Sequence, residues 1–227
     1  MKKINYMLPW LLQTLIWIPT RVCLKIFCSY KVRGLENLKK IKKNNQGVIF
    51  TVNHSSEWDP IMIPASIPFL SHLMPMFYVS RERKFYANSG WRQYIYGGSF
   101  FNAWGAYPVY TKLNDYEKAL QYHIKILNNK KSICIFPEGK KTLDGKIQVG
   151  KPGSAFLAYR TNSIIVPVRI KGLFKKNVEK DKLGRRKIDV IFGEPVYPES
   201  FFNNLKKPSS DDFKKAVEIV MDKIKKL

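Results

Sequence analysis

The run Gly47–Val52 constrains this chain most. β-branched and aromatic residues over so short a span read as a buried strand, and this one empties into Asn53, His54, Ser55, Ser56, Glu57, Trp58 and Asp59. A buried strand ending in a histidine and an acid delivers titratable groups to a sheet edge, where α/β proteins place their chemistry. Similar runs occur at Met76–Val79, Lys131–Phe136, Ile164–Val168 and Ile188–Phe192, with helical patterns between several of them. The expected fold is α/β: a single domain with a mixed, largely parallel central sheet flanked by helices.

His54 and Asp59 stand five residues apart, which on a regular helix separates them by roughly 140°. They meet only if the chain turns between them. Ser55, Ser56 and Glu57 permit a turn, and Pro60 suits the first position of a helix with Asp59 at or near its cap. If the side chains meet, Asp59 accepts the proton on one ring nitrogen and leaves the other free as a base. The plainer reading is that Asp59 caps a helix and His54 is a polar loop residue.

The second strand-like run, Lys131–Phe136, leads straight into Pro137, Glu138, Gly139, Lys140, Lys141 and Thr142. A carboxylate and two lysines on a tight Pro/Gly turn can hold a polyol phosphate, the acid accepting from hydroxyls and the lysines facing the phosphate. A surface turn is the alternative.

Together these residues resemble the glycerophosphate acyltransferase family, whose best-known members act on 1-acylglycerol 3-phosphate. Asn53, His54 and Asp59 match its first motif, N-H-x4-D. Gly105–Val109 looks like the second, G-A-F-P-V-D-R, with Tyr110 and Thr111 in the D and R places and Lys112 following. Phe136–Gly139 match the third, F-P-E-G-T-R-S, after which Lys140, Lys141 and Thr142 depart from it. Ile164–Val168 matches an apolar run closing on Val-Pro, and Gly193–Val196 a late G-E-P-V turn. A lysine in an arginine's place supplies charge without a bidentate fork.

The resemblance implies transfer of a fatty acyl group from a thioester, acyl-CoA or acyl carrier protein, to the sn-2 hydroxyl of lysophosphatidate, giving phosphatidate. His54 would be the general base and Asp59 would orient it; Glu138, Gly139, Lys140 and Lys141, helped by Lys112, would hold the glycerol phosphate. Glycerol 3-phosphate and other lysolipids are alternative acceptors. No cofactor is expected, and no metal, because no His/Cys/acid cluster has ligand spacing. Neither Ser55 nor Ser56 has the G-x-S-x-G setting of a hydrolase nucleophile.

The formal charge of +23 over 227 residues implies an anionic partner. The hydrophobic share, 45%, suffices for one core. Residues 1–30 are read as a membrane-associating helix or helix pair, and residues 31–227 as the catalytic domain. In the first segment, Gln13, Thr14, Pro19 and Arg21 interrupt the apolar character before the ~20 apolar residues of a clean span. Trp10, Trp17, Arg21 and Lys25 suit a helix at headgroup level; a helix packed on the domain is the alternative. The expected location is the cell membrane, peripheral or monotopic, with the domain facing the cytoplasm. Lysines at 39–43 would add attraction to an anionic leaflet. Cys23, Cys28 and Cys134 read as reduced and structural.

Elsewhere, Asn114 with Glu117 makes a capping-box pattern for a helix with Tyr116, Ala119, Leu120, His123, Ile124 and Leu127 on one face. Ser154 is the expected cap of a second helix, and Ser210 that of a last one with Phe213, Ala216, Val217, Val220, Met221 and Ile224 inside. Residues 85–104, rich in aromatics and glycine, are core or an acyl-chain wall, and residues 174–187 a basic hairpin-like excursion. A nucleic-acid binder would share the charge but lacks a recognisable motif. A non-catalytic membrane-surface protein would not need His54 and Asp59.

Overall fold

The computed structural model describes all residues except 1–2, 44, 83–98, 111–112, 114, 177, 203–204 and 206. Its strands are β1 (Cys28–Arg33), β2 (Val48–Val52), β3 (Met76–Arg81), β4 (Ala106–Val109), β5 (Ser132–Ile135), β6 (Ile164–Lys171) and β7 (Arg186–Phe192). They form one sheet in the order β1-β7-β6-β2-β5-β3-β4. Every neighbouring pair is parallel except β6 with β7, which gives the mixed, largely parallel α/β domain expected.

All residues of β2 and β5 are buried, as befits strands covered on both faces. Successive side chains alternate between the faces. Ile49, Ile133 and Ile165 enter one apolar cluster; Val48, Phe50, Val52, Cys134, Val166 and Val168 enter the other.

The longer helices are α1 (Met7–Phe27), α2 (Asp59–Ser66), α3 (Gln121–Asn128), α4 (Gly153–Thr161) and α5 (Ser210–Lys226). α5 buries the six apolar residues expected of it, but its cap is Ser209, not Ser210. The capping box needs an acid three residues on; Asp212 stands three after Ser209 and reaches back to its N–H, whereas Ser210 is already helical. Ser154 is likewise no cap: the ladder of α4 opens two residues earlier, at the bond from Phe156 N to Pro152 O, and Ser154 is fully buried. Before α3 the side chain of Asp115 caps a short turn by accepting from the N–H groups of Glu117 and Lys118; the expected cap, Asn114, lies outside the described residues. His123 on α3 is fully buried, and its Nε2 donates to Tyr78 O at 3.4 Å. Burial pushes its pKa down to about 4.

α1 is one continuous helix with Pro19 inside it, and two of the residues that interrupt its apolar sequence, Gln13 and Arg21, help attach it to the domain. Gln13, Trp17 and Arg21, spaced four apart, share one face. The Gln13 amide bonds both N and O of Met76, the Trp17 indole donates to Ile67 O, and Arg21 donates to Ala65 O. Ala65 and Ile67 close α2, where backbone carbonyls lack helical partners. On the opposite side, Leu11, Leu15, Ile18, Val22 and Ile26 are exposed, Leu15 by 64% and Ile18 by 55%. The inward face thus sets Gln13 and Arg21 among the apolar Pro9, Trp17 and Leu24, and the outward face exposes an apolar stripe, unlike a surface helix on a water-facing domain.

The excursion after β6 closes as a hairpin through a bridge between Lys180 and Arg186, its turn held by Asp181 accepting from the N–H groups of Leu183 and Arg185.

Candidate active site

The site follows from the register of two adjacent strands. Thr51 of β2 faces Ile135 of β5, so three residues further along each strand stand His54 and Glu138. After β2 the chain leaves toward β3, its helix packing on one face of the sheet, and after β5 it leaves toward β6, its helix on the other face. The two loops therefore meet side by side at the carboxyl edge of the sheet, where α/β proteins place their sites.

Asn53 makes the departure possible. Its amide donates to Ile170 O at 3.0 Å and accepts from Ile170 N at 2.8 Å. A side chain thus continues the ladder to β6 while the backbone turns away. Next, the chain folds back on Asp59, which is fully buried at the start of α2. Asp59 Oδ2 accepts from Ser55 N at 2.6 Å, Ser56 N at 2.8 Å and His54 Nδ1 at 2.9 Å. Nδ1 must carry a proton to donate to a carboxylate, so Nε2 presents its lone pair. The imidazole stacks on Phe136, with ring centroids 4.3 Å apart and 24° between planes, and 19% of the side chain is exposed. The ring is held on one side by an acid and on one face by an aromatic, with Nε2 left for a reacting group.

Glu138 is buried, and both of its oxygens hold backbone: Oε1 accepts from His54 N at 2.7 Å and Oε2 from Gln148 N at 2.9 Å. Burial pushes its carboxyl up, against the pull of these two donors. Thr142 N donates to His54 O at 2.8 Å, and Lys141 pairs with Glu57 at 3.0 Å. The two motif loops are thereby tied by three contacts. Gly139 has φ +70°, the left-handed region that favours glycine, and its carbonyl accepts from Arg81 Nη2 at 2.7 Å. Lys140 follows on the same turn and is exposed.

His54, Asp59, Glu138, Gly139, Lys140 and Lys141 thus share one sheet edge, while Lys112 lies outside the described residues. Of the aromatic stretch, Phe101 and Trp104 pack against the core, and residues 85–98 are outside the described ones. Lys151 was not a sequence candidate. Its backbone N donates to Pro137 O at 2.9 Å, which brings it to the same turn, and the sequence marks that place only by the surrounding Gly150, Pro152 and Gly153.

The sequence model of the Acyltransferase family matches residues 29–171, the stretch from β1 through β6 that carries both motif loops. The chain belongs to that family. It is 33% identical over 91 residues to the probable 1-acyl-sn-glycerol-3-phosphate acyltransferase of Mycoplasma pneumoniae, a match covering 37% of this chain and 34% of the relative. The matched part is thus about a third of that protein's length. The crystal structure of the 1-acyl-sn-glycerophosphate (LPA) acyltransferase PlsC from Thermotoga maritima has the same fold. The TM-score is 0.62 at 21% identity, over 96% of this chain and 78% of that one.

Proposed function

We propose that this protein is a membrane-associated O-acyltransferase that moves a fatty acyl group from acyl-CoA or acyl carrier protein to the sn-2 hydroxyl of lysophosphatidate, giving phosphatidate. The observation that carries the reading is the 2.9 Å bond from His54 Nδ1 to the buried Asp59. It holds the imidazole in the tautomer a general base requires. Family membership supports the acyl-transfer class, and the names of the two relatives support lysophosphatidate as acceptor.

In this mechanism His54 Nε2 takes the proton of the acceptor hydroxyl as its oxygen attacks the thioester carbonyl. The C–O bond forms, the carbonyl oxygen gathers negative charge, and the C–S bond then breaks. The thiolate leaves with the proton that His54 held. Asp59 stabilises the imidazolium that exists between the two transfers, a contribution of about 100- to 10,000-fold together with the base. The good leaving group makes an acyl-enzyme unnecessary. The turn Glu138–Lys141 receives the glycerol phosphate, with Glu138 also setting the backbone of His54.

The outward apolar stripe of α1 is the membrane contact in this reading, with the catalytic domain on the cytoplasmic face. By length and composition the helix is long and apolar enough to cross a bilayer. The bonds of Gln13, Trp17 and Arg21 to the domain favour a helix lying along the interface, with its apolar side in the acyl boundary. The charge of +23 adds attraction to anionic lipid.

The test is thiol release from acyl-CoA and from acyl carrier protein by purified protein in detergent, with lysophosphatidate, glycerol 3-phosphate or no acceptor. Release that depends on lysophosphatidate is expected. Release without any acceptor would make the protein a thioester hydrolase, and faster release with glycerol 3-phosphate would move the acceptor to that compound.

A further inference from the structure

We propose that Lys151 is the residue that binds the phosphate of the acceptor, with Arg81 beside it; the proposal rests on the acyl-transfer reading above. Gly139 carries it. A Cβ built on Gly139 would lie 2.9 Å from Lys151 Nζ, 3.1 Å from Cε and 3.4 Å from Cδ. The lysine stem therefore lies across the face that glycine leaves bare, and the ammonium ends against the turn next to Glu138. Glycine is needed here twice, for its φ of +70° and for the seat it leaves.

The seat is built from both sides. The Lys151 backbone is tied to Pro137 O at 2.9 Å. The preceding Gly150 lies so close to α5 that a Cβ there would stand 2.8 Å from Met221 Cγ. From the other side, the Arg81 guanidinium reaches the Gly139 carbonyl at 2.7 Å. Two cationic side chains thus reach one residue of the turn. Among the described residues the Lys151 ammonium makes no ion pair and no hydrogen bond. Lys141, by contrast, is engaged by Glu57 at 3.0 Å, and Lys140 is exposed.

A phosphate monoester answers the ammonium left without a partner. Its two charges attract the cation, and its three terminal oxygens offer acceptors to an ammonium and a guanidinium together. In lysophosphatidate only C2 and C3 separate the sn-2 hydroxyl from the phosphate ester oxygen. A phosphate at Gly139 therefore keeps the hydroxyl near the adjoining loop, where Glu138 holds His54.

The experiment compares the full-length protein with Lys151→Gln and Lys151→Arg in detergent. Thiol release is measured with lysophosphatidate and with a phosphate-free monoacylglycerol, and sn-glycerol 3-phosphate binding by calorimetry. Lys151→Gln should raise KM for lysophosphatidate about 10- to 100-fold, with a smaller change in kcat. It should narrow the preference for lysophosphatidate over monoacylglycerol by a similar factor, and Lys151→Arg should restore much of both. An unchanged KM, or equal losses with both acceptors, overturns the proposal. If the wild type releases no thiol with any acceptor, the acyl-transfer reading fails on its own account and calorimetry decides the phosphate seat. Weaker binding by Lys151→Gln upholds the seat, and equal binding by the two proteins overturns it.

Discussion

Glu138 accepts a hydrogen bond from the backbone N–H of His54 at 2.7 Å, across 84 residues of sequence. The acid of one motif thereby sets the backbone that carries the base of the other. Glu138→Gln would turn an amide NH2 toward one of two buried N–H donors, since only one oxygen remains for the groups of His54 and Gln148. The expected cost is about 1–3 kcal/mol of stability, and kcat should fall more than KM rises because the change acts through His54. Thermal melts and steady-state thiol release check the two parts separately.

Asp59→Asn removes the charge that faces the imidazole at 2.9 Å. A neutral amide no longer stabilises the imidazolium between the two proton transfers, and kcat should fall about 100- to 10,000-fold. His54→Ala should abolish the chemical rate while binding to anionic vesicles persists. Retained turnover in His54→Ala would remove the histidine from the mechanism and leave the basic apolar surface as the functional feature.

The buried His123, with its pKa lowered to about 4, makes stability depend on pH. The unfolded chain takes up this proton near pH 6.5 and the folded one only near 4, so the unfolded state binds more protons between these values. The contribution to stability is present in full above about pH 6.5 and is lost as the pH is lowered, the loss reaching roughly 3 kcal/mol near pH 4. Urea unfolding at several pH values should show this slope, and His123→Leu should flatten it.

The two sides of α1 should respond oppositely to substitution. Leu15→Gln with Ile18→Gln alters only exposed positions; vesicle binding should drop several-fold while the melting temperature stays within a degree or two. Gln13→Leu places an apolar group on the inner side and leaves Met76 N and O without their partner, costing about 1–3 kcal/mol for each orphaned group. Co-sedimentation with phosphatidylglycerol vesicles and thermal melts distinguish the two.

The sequence by itself determined what depends on near neighbours. The buried strands β2 and β5 were legible because β-branched and aromatic runs have few other uses. The His54–Asp59 pair was legible because the whole loop closes within six residues, with Ser55 and Ser56 donating to Asp59 on the way. The inner stripe of α5 was legible from its period, although its cap fell one residue earlier, where the acid three places on could reach back. Only the tertiary structure decided the contacts between distant segments. Glu138 as the anchor of His54, Arg81 at Gly139 and Lys151 beside it depend on β2, β5 and β3 lying side by side in one register. Gln13 and Arg21 read as interruptions in an apolar helix, and Trp17 as an aromatic at headgroup level, because their partners, the backbone groups of Met76, Ala65 and Ile67, are brought to them by the fold. A polar side chain's role depends on the donor or acceptor it meets, and a linear pattern records the side chain but not that partner.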